Sequence, residues 1–301
     1  MPSDFNAHFL LQIISTENVI RGKNLKSKLT ELGLKFQISP GVVPNETDFE
    51  AGLLHSKFVS KLLCQRNLSI GEVGCALAHR VAVNSFLNSN HKFGIIFEDD
   101  AEIMADFDLN IIMKCLNSID PVIIALGWIP GFAIAKNSNI ILDEKPIELM
   151  TSPTCAFAYA INRPAAKFMA ESQERIIDLA DWPIHTLNKV KFYSIHSHLP
   201  WVTANHDPKF SIIGDRLIST PKNPIGVLVN RIRLAGSFAI LCLMSNTNNL
   251  KVSPKQIVHR LLIRDMLYKY GNGQLHNKVS KYEVVALPLK FQKLLDLLKI
   301  S

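Results

Sequence analysis

Short apolar runs alternate with segments of helical spacing along the first two thirds of the chain. Phe9-Leu10-Leu11-Gln12-Ile13-Ile14 reads as a buried strand. From about Asn18 to Leu32 apolar positions recur at helical spacing, and Gly33 stands where a C-cap glycine belongs. Lys35-Phe36-Gln37-Ile38 predicts a second strand, and a strand, helix, strand order predicts a parallel sheet. Gly41 to Asp48, with Pro40 and Pro44 as punctuation, reads as a loop. Ser69 then caps a helix running to Leu87, with Glu72 three residues on as in a capping box. Its small residues Gly74, Ala76 and Ala78 allow close packing. Strands follow at Phe93–Phe97, Pro121–Gly127 and Ala156–Ile161, and Asn162-Arg163-Pro164 opens a helix with Pro near its first turn. Residues 128–150 read as irregular. After Trp201 the pattern changes: Pro208, Pro221 and Pro224 frame a loop, and from Gly226 the chain is helical, basic and apolar by turns. There is no internal repeat and no low-complexity tract.

The apolar run Phe93-Gly94-Ile95-Ile96-Phe97 ends in Glu98-Asp99-Asp100, with Glu102 close behind. Ligands of open α/β sheets bind at the carboxyl ends of strands. Three carboxylates crowded there repel one another and call for a cation. Oxygen-only donors suit Mg²⁺ or Mn²⁺, ions that keep waters and bridge to phosphates. The local reading is a strand-end metal site for a phosphorylated ligand, and the alternative is a solvated acidic turn.

At 301 residues the chain can bury a large core, as one long domain or as one domain with an appendage. Its 48% hydrophobic and 20% charged content is that of an ordered globular protein. The net charge of +7 is uneven. Residues 222–301 hold 13 Lys/Arg against 3 Asp/Glu, and the rest hold 20 against 23. This divides the chain into a slightly acidic body, 1–221, and a basic region, 222–301. The five cysteines, Cys64, Cys75, Cys115, Cys155 and Cys242, are odd in number and show no CxxC spacing. They read as small buried hydrophobes in a reducing compartment, not as disulfides or a zinc site. The N-terminal segment has no basic n-region, and the apolar stretch Leu234 to Met244 is too short to span a bilayer. A cytoplasmic location is expected.

Several segments together resemble glycosyltransferase family 25, the lipopolysaccharide and lipooligosaccharide galactosyltransferases and their relatives. Ser69-Ile70-Gly71-Glu72-Val73-Gly74-Cys75-Ala76-Leu77-Ala78-His79 resembles the family's S-x-G-E-I-G-C-x-L-S-H segment. Ile95-Ile96-Phe97-Glu98-Asp99-Asp100 resembles its I-L-E-D-D strand, a version of the DxD motif. Ala156 to Arg163 is similar to its A-Y-x-I-S strand, and Ala180-Asp181-Trp182-Pro183-Ile184 to a downstream acid-containing segment. The likeness runs over roughly residues 8–217. Two features depart from the family pattern: a lone Arg21 stands in place of an arginine-rich loop, and Ala78 in place of Ser. The resemblance implies a GT-A type, Rossmann-like α/β fold binding a nucleotide sugar. It also implies UDP-galactose as the donor, inversion at the anomeric carbon, and a divalent metal, Mn²⁺ or Mg²⁺.

By the same resemblance Asp100, last acid of the motif, is the direct metal ligand, with Glu98 reaching the ion through water. Such an ion would clamp both phosphates of the leaving group. Asp99 would face the ribose or the sugar. An inverting displacement needs a base across the sugar from the diphosphate. Asp181 is the candidate, beside Trp182 as a platform for a sugar face. The other reading has Asp181 capping a helix and Trp182 in the core, with Asp178, Glu148 and His185 as alternative bases. His79 is read either as a core histidine or as a donor-site residue, and Glu72 as a capping acid or a substrate contact. Arg216 either contacts the diphosphate or pairs with Asp215. His196 and His198 form an HxH without a third ligand at suitable spacing.

From Gln256 to Tyr268, Ile257, Leu261 and Met266 lie beside Arg260 and Arg264. Such a segment either lies on an anionic inner membrane, near lipid-linked glycan acceptors, or packs on the catalytic domain. Nucleic-acid binding is not expected, for want of a recognisable fold or aromatic platform. The expectation is therefore an inverting, metal-dependent hexosyltransferase acting on a lipooligosaccharide or other surface glycan. Its rivals are a metal-dependent phosphoesterase or nucleotidyltransferase, and a degenerate nucleotide-sugar-binding scaffold.

Overall fold

The computed structural model describes residues 2–16, 22–64, 66–104, 108–127, 134–135, 146–149, 152–153, 156–171, 176–180, 182–183, 186, 189–195, 201–204, 235–241, 257 and 285–286. The chain opens with α1 (Pro2–His8) and β1 (Phe9–Ser15), then α2 (Lys23–Glu31) and β2 (Phe36–Pro40). Gly33 ends α2 as its spacing predicts. It takes φ +68°, and the amides of Gly33 and Leu34 bond back to the carbonyls of Thr30 and Leu29. That is a Schellman pattern, closed by the burial of both Leu29 and Leu34 in one core cluster.

Two short helices, α3 (Glu46–Glu50) and α4 (Lys57–Cys64), precede the long α5 (Ile70–Asn88). The segment from Gly41 to Asp48 is thus a loop only up to Asn45, whose side chain caps α3 by accepting from the Thr47 amide. After α5 come β3 (Phe93–Glu98), β4 (Ala101–Ile103), α6 (Leu109–Leu116) and β5 (Val122–Ala125). Then follow β6 (Ile134–Ala135), β7 (Ile147–Leu149), β8 (Ala158–Asn162), α7 (Arg163–Glu171), β9 (Lys191–Ser194), β10 (Val202–Ala204) and β11 (Val285–Ala286).

Among the described residues nine strands form one sheet in the order β11-β6-β7-β9-β5-β8-β3-β1-β2. β1 pairs in parallel with β2 and β3, as the strand, helix, strand order predicts. The sheet is nevertheless mixed: β8 lies antiparallel between β3 and β5, and β7 antiparallel beside β9. β8 turns straight into α7, where Asn162 secures the corner. The Asn162 Oδ1 accepts from the amides of Val122 and Ala165, and its Nδ2 donates to the Asp120 carbonyl at 2.7 Å.

Helices cover both faces. On one side α2 and α6 bury Leu25, Leu29, Ile112 and Leu116 against Leu11, Ile13, Ile95 and Phe97. On the other side α5 and α7 bury Ala82, Phe86, Ala165 and Met169 against Ile96, Tyr159 and Ile161. The odd and even residues of β3 divide between these cores, as the period of a strand requires. Near-continuous apolar strands covered on both faces are the signature of a Rossmann-like α/β sandwich.

A third cluster lies on the outer side of α5 and includes Leu63, Val73 and Ile176. Leu241 and Ile257, both from the basic region, are fully buried in it. The remaining described residues of 222–301 are few, and its helical reading otherwise lies outside them. No helix among the described residues is long and apolar enough to cross a membrane.

Candidate functional site

The acidic turn is held from three sides. β3 delivers Glu98, and β4 begins immediately after Asp100. β4 pairs antiparallel with β10, placing Ala101 opposite Ala204 and Ile103 opposite Val202. The amides of Trp201 and Val202 in turn bond to the Leu126 carbonyl at the end of β5. This small second sheet ties the turn to the neighbouring strand end.

Asp99 is buried at 7% exposure, with Ser15 Oγ donating to its Oδ2 at 3.0 Å. Gly22, the N-cap of α2, rests on it. With φ +76°, a Cβ built there would lie 3.3 Å from the Asp99 Cβ, so glycine suits both the conformation and the contact. The start of α2 therefore abuts the acidic turn. Asp100 is half-buried in the turn itself.

Glu98 points the other way, toward α5. Its Oε1 lies 3.2 Å from His79 Nε2, and Cys75 Sγ donates to the same oxygen at 3.9 Å. Cys75 and His79 are four residues apart on α5 and so share one face of the helix. His79 Nδ1 lies 3.2 Å from the Tyr159 hydroxyl on β8. Tyr159 is wholly buried; burial first, then the Glu98 charge, pushes its phenol well above the usual range. Among the described residues, Cys75, His79 and Glu98 are the group of three whose ligand atoms all lie within 4.8 Å of one another. Among the described residues Glu98, Asp99 and Asp100 do not converge that closely: Glu98 turns to His79 on α5 and Asp99 to Ser15 at the end of β1.

Glu72 is 3% exposed and holds the start of α5. Its amide bonds to Ser69 Oγ at 3.2 Å, and its Oε2 accepts from the Ser69 amide at 2.9 Å. That is the capping box the sequence predicts. Arg66, not singled out from sequence, adds both guanidinium nitrogens to the Glu72 carboxylate, with Nη1 to Oε2 at 2.7 Å. That hydrogen bond pushes the Arg66 guanidinium up from its usual range. Close packing of α5 is equally literal: a Cβ on Gly74 would sit 2.4 Å from the Val42 carbonyl.

Asp181, Arg216, His185, His196 and His198 lie outside the described residues. Trp182 is 1% exposed, donates Nε1–H to the Pro153 carbonyl at 2.7 Å, and packs edge-on against Tyr159 and Phe192. It is a core residue, which corrects the reading of it as a sugar platform. Asp178 is fully buried, accepting from Cys64 Sγ and the Leu179 amide. Glu148 is half-buried on β7, opposite Tyr193. Of the described cysteines, Cys64, Cys75 and Cys115 are in no disulfide, and burial pushes the Cys115 thiol up to about 11.

Among curated proteins none matches the chain. Two solved structures are similar in part. A197 from STIV shares 13% identity over 72% of this chain and 99% of its own, with a TM-score of 0.38. A nucleoside-diphosphate-sugar pyrophosphorylase from Vibrio cholerae RC9 shares 14% over 64% and 75%, with a TM-score of 0.30. Both scores are too low to assign a fold by likeness. The family model described as glycosyltransferase family 25 (LPS biosynthesis protein) matches residues 11–184, more than half of the chain, from within β1 to just past Trp182. The capping-box helix, the acidic strand end and the β8 strand all fall inside that match, and the chain belongs to glycosyltransferase family 25.

Proposed function

We propose that the chain is a GT-A type, inverting, metal-dependent hexosyltransferase. It would move galactose from UDP-galactose onto a lipooligosaccharide or other surface-glycan acceptor. The observation that carries this reading is the turn Asp99-Asp100 at the carboxyl end of β3, braced by Ser15 and by the β4–β10 pair. Carboxylates held at a strand end, beside the opening of α2, fit a Mn²⁺ or Mg²⁺ ion and the phosphates it would bridge.

When bound, that ion neutralises charge on the diphosphate leaving group. Asp100 is the proposed direct ligand. Asp99, oriented by Ser15, is the proposed ribose or sugar contact. Glu98 stands behind them, its carboxylate shared with His79 and Cys75, so its proposed contact with the ion is through water. His79 fixes Glu98 from α5 and acts on the donor side. Glu72 acts by starting α5 where Cys75 and His79 need to be. Asp181 remains the proposed base and Arg216 the proposed diphosphate contact.

For residues 222–301 the burial of Leu241 and Ile257 supports packing onto α4 and α5. The positive surplus of that region supports attraction to the anionic inner face of a membrane, where lipid-linked acceptors lie.

Calorimetry of UDP, GDP, CMP and UDP-hexoses, with and without Mn²⁺, tests the reading. UDP binding that needs Mn²⁺ and is lost in Asp100→Asn supports it. Absence of nucleotide binding under every condition moves the weight to a degenerate scaffold. Nucleotide transfer or phosphate release in place of sugar transfer would establish the phosphoesterase or nucleotidyltransferase alternative.

A further inference from the structure

We propose that Cys75 Sγ, His79 Nε2 and Glu98 Oε1 form a site for a thiophilic divalent ion of the zinc class, separate from the hard-cation position at Asp100. The inference does not rest on the transferase reading. It rests on how α5 and β3 meet.

The ligand atoms are already gathered. His79 Nε2 and Glu98 Oε1 are 3.2 Å apart, Cys75 Sγ and Glu98 Oε1 3.9 Å, and all three lie within 4.8 Å. Zinc bonds of about 2.0–2.3 Å in a tetrahedron give ligand–ligand edges of roughly 3.3–3.8 Å. Rotamer adjustments of less than about 1 Å would close the set around an ion. Two of the ligands sit at i and i+4 on a single helix face, and the third comes from a strand that α5 covers, so the backbone that presents them is rigid.

The surroundings match what a bound imidazole needs. A metal-bound histidine donates its other ring N–H to a fixed partner, which sets the tautomer and the ring plane. His79 Nδ1 has the Tyr159 hydroxyl at 3.2 Å, and Tyr159 is locked between Trp182 and the His79 ring. Without an ion, Nε2–H is placed to donate to Glu98 Oε1; in the ion-bound state the ring proton would sit on Nδ1, donated to the Tyr159 hydroxyl, and the Nε2 lone pair would face the ion. The His79 side chain is 3% exposed while that of Glu98 is 24%, so the cluster is closed on the helix side and open on the strand-end side. Three protein ligands with one open side leave the fourth position to water.

The donor set decides the ion. One sulfur, one imidazole nitrogen and one carboxylate oxygen favour Zn²⁺ or Co²⁺ over Mg²⁺ or Mn²⁺, which the oxygen donors of the Asp99-Asp100 turn would take. Binding replaces the thiol proton of Cys75, which leaves to solvent, so no oxidant or reductant is needed. An ion here would also fasten the end of β3 to α5, immediately before the turn that carries Asp99 and Asp100.

The test uses the full chain, stripped with a chelator and titrated with Co²⁺ as the probe. Wild type is expected to develop thiolate-to-cobalt charge-transfer absorption and the strong visible bands of a tetrahedral ion, both abolished by added Zn²⁺. The same spectrum should appear in Asp100→Asn, which separates this site from the proposed donor-site metal. Cys75→Ser should lose the charge-transfer band while its circular dichroism stays that of wild type. His79→Gln should weaken Co²⁺ binding at least about tenfold. A charge-transfer band that persists in Cys75→Ser, or no such band in wild type, overturns the proposal. Cys75→Ser is a near-isosteric change at a half-buried position, so the test survives even if His79→Gln fails to fold.

Discussion

Ser15, the last residue of β1, donates its hydroxyl to Oδ2 of Asp99 at the carboxyl end of the sheet, at 3.0 Å. The two residues sit at the carboxyl ends of neighbouring parallel strands. The bond ties the acidic turn to the strand beside it. Asp99 is nearly buried, so each donor to its carboxylate offsets desolvation of the charge. Ser15→Ala should cost about 1–3 kcal/mol of stability and should weaken Mn²⁺-dependent UDP binding, whereas Ser15→Thr, which keeps the hydroxyl, should recover most of both. Urea denaturation and calorimetry on the two variants decide it. Equal behaviour of Ser15→Ala and wild type would mean that the hydroxyl does not position Asp99.

Glu72 carries three structural duties at once: two capping bonds with Ser69 and a forked pairing with Arg66. Glu72 is buried but the Arg66 side chain stays 25% exposed, so Glu72→Ala, which removes a cap bond and leaves that guanidinium partly solvated, should cost roughly 1–3 kcal/mol. Glu72→Gln keeps the shape and part of the cap, and should cost less. A double-mutant cycle with Arg66→Ala should return a coupling of about 1–3 kcal/mol. A coupling near zero would assign the burial of Glu72 to the capping box alone.

What was legible in the sequence was local. Ser69 and Glu72 announce a helix start within four residues, and Gly33 announces a helix end. The apolar run from Phe93 to Phe97 is long enough to be a strand by itself. Elements defined by distant partners were not legible. β4 and β10 are three-residue strands that exist because each finds the other and Leu126, and neither has a pattern of its own. The corner where β8 turns into α7 is secured by Asn162 reaching Val122 and Asp120, some forty positions back. Trp182 beside an acid looks like a sugar platform until Tyr159 and Phe192 close over it. The Cys75–His79–Glu98 cluster spans a helix and a strand end. Its one local signal is the four-residue spacing of a cysteine and a histidine on a helix predicted to face the sheet. Asp181 and Arg216 lie outside the described residues, so geometry adds nothing to them.

His55 should make stability fall on mild acidification. Its side chain is buried and stacked on Phe49 with centroids 4.7 Å apart, and its Nδ1 has no hydrogen-bond partner among the described residues. Burial, and secondarily the Lys57 charge, hold the imidazole below its usual range, with Glu50 opposing. A base whose folded value is lowered favours the neutral form in the fold. Its contribution is complete above the ordinary value near 6.5 and is lost as pH falls through that value toward the folded one. The urea midpoint of wild type should therefore drop between about pH 7.5 and 5.5, and His55→Phe should remove that part of the drop. Parallel pH curves for the two proteins would clear His55 of the effect.

Arg163 closes the far end of α5. Its guanidinium donates to the Leu87 carbonyl at 2.6 Å and to those of Ser89 and His91 at 3.1 Å, while its charge lies 5.5 Å from the centre of the Phe86 ring. The last carbonyls of a helix have no partner within it, and a cation there also meets the negative end of the dipole. One forked side chain thus completes α5, binds the turn before β3, and starts α7. Arg163→Met keeps the apolar stem over Phe86 but removes the donors, and should cost about 2–3 kcal/mol. Arg163→Lys restores the charge without the fan of donors, and should recover less than half of that loss, because an ammonium cannot reach carbonyls on several sides at once. Urea denaturation of the three proteins measures both steps. A lysine variant as stable as wild type would show that charge at the helix end, and not the geometry of the fork, is what secures α5.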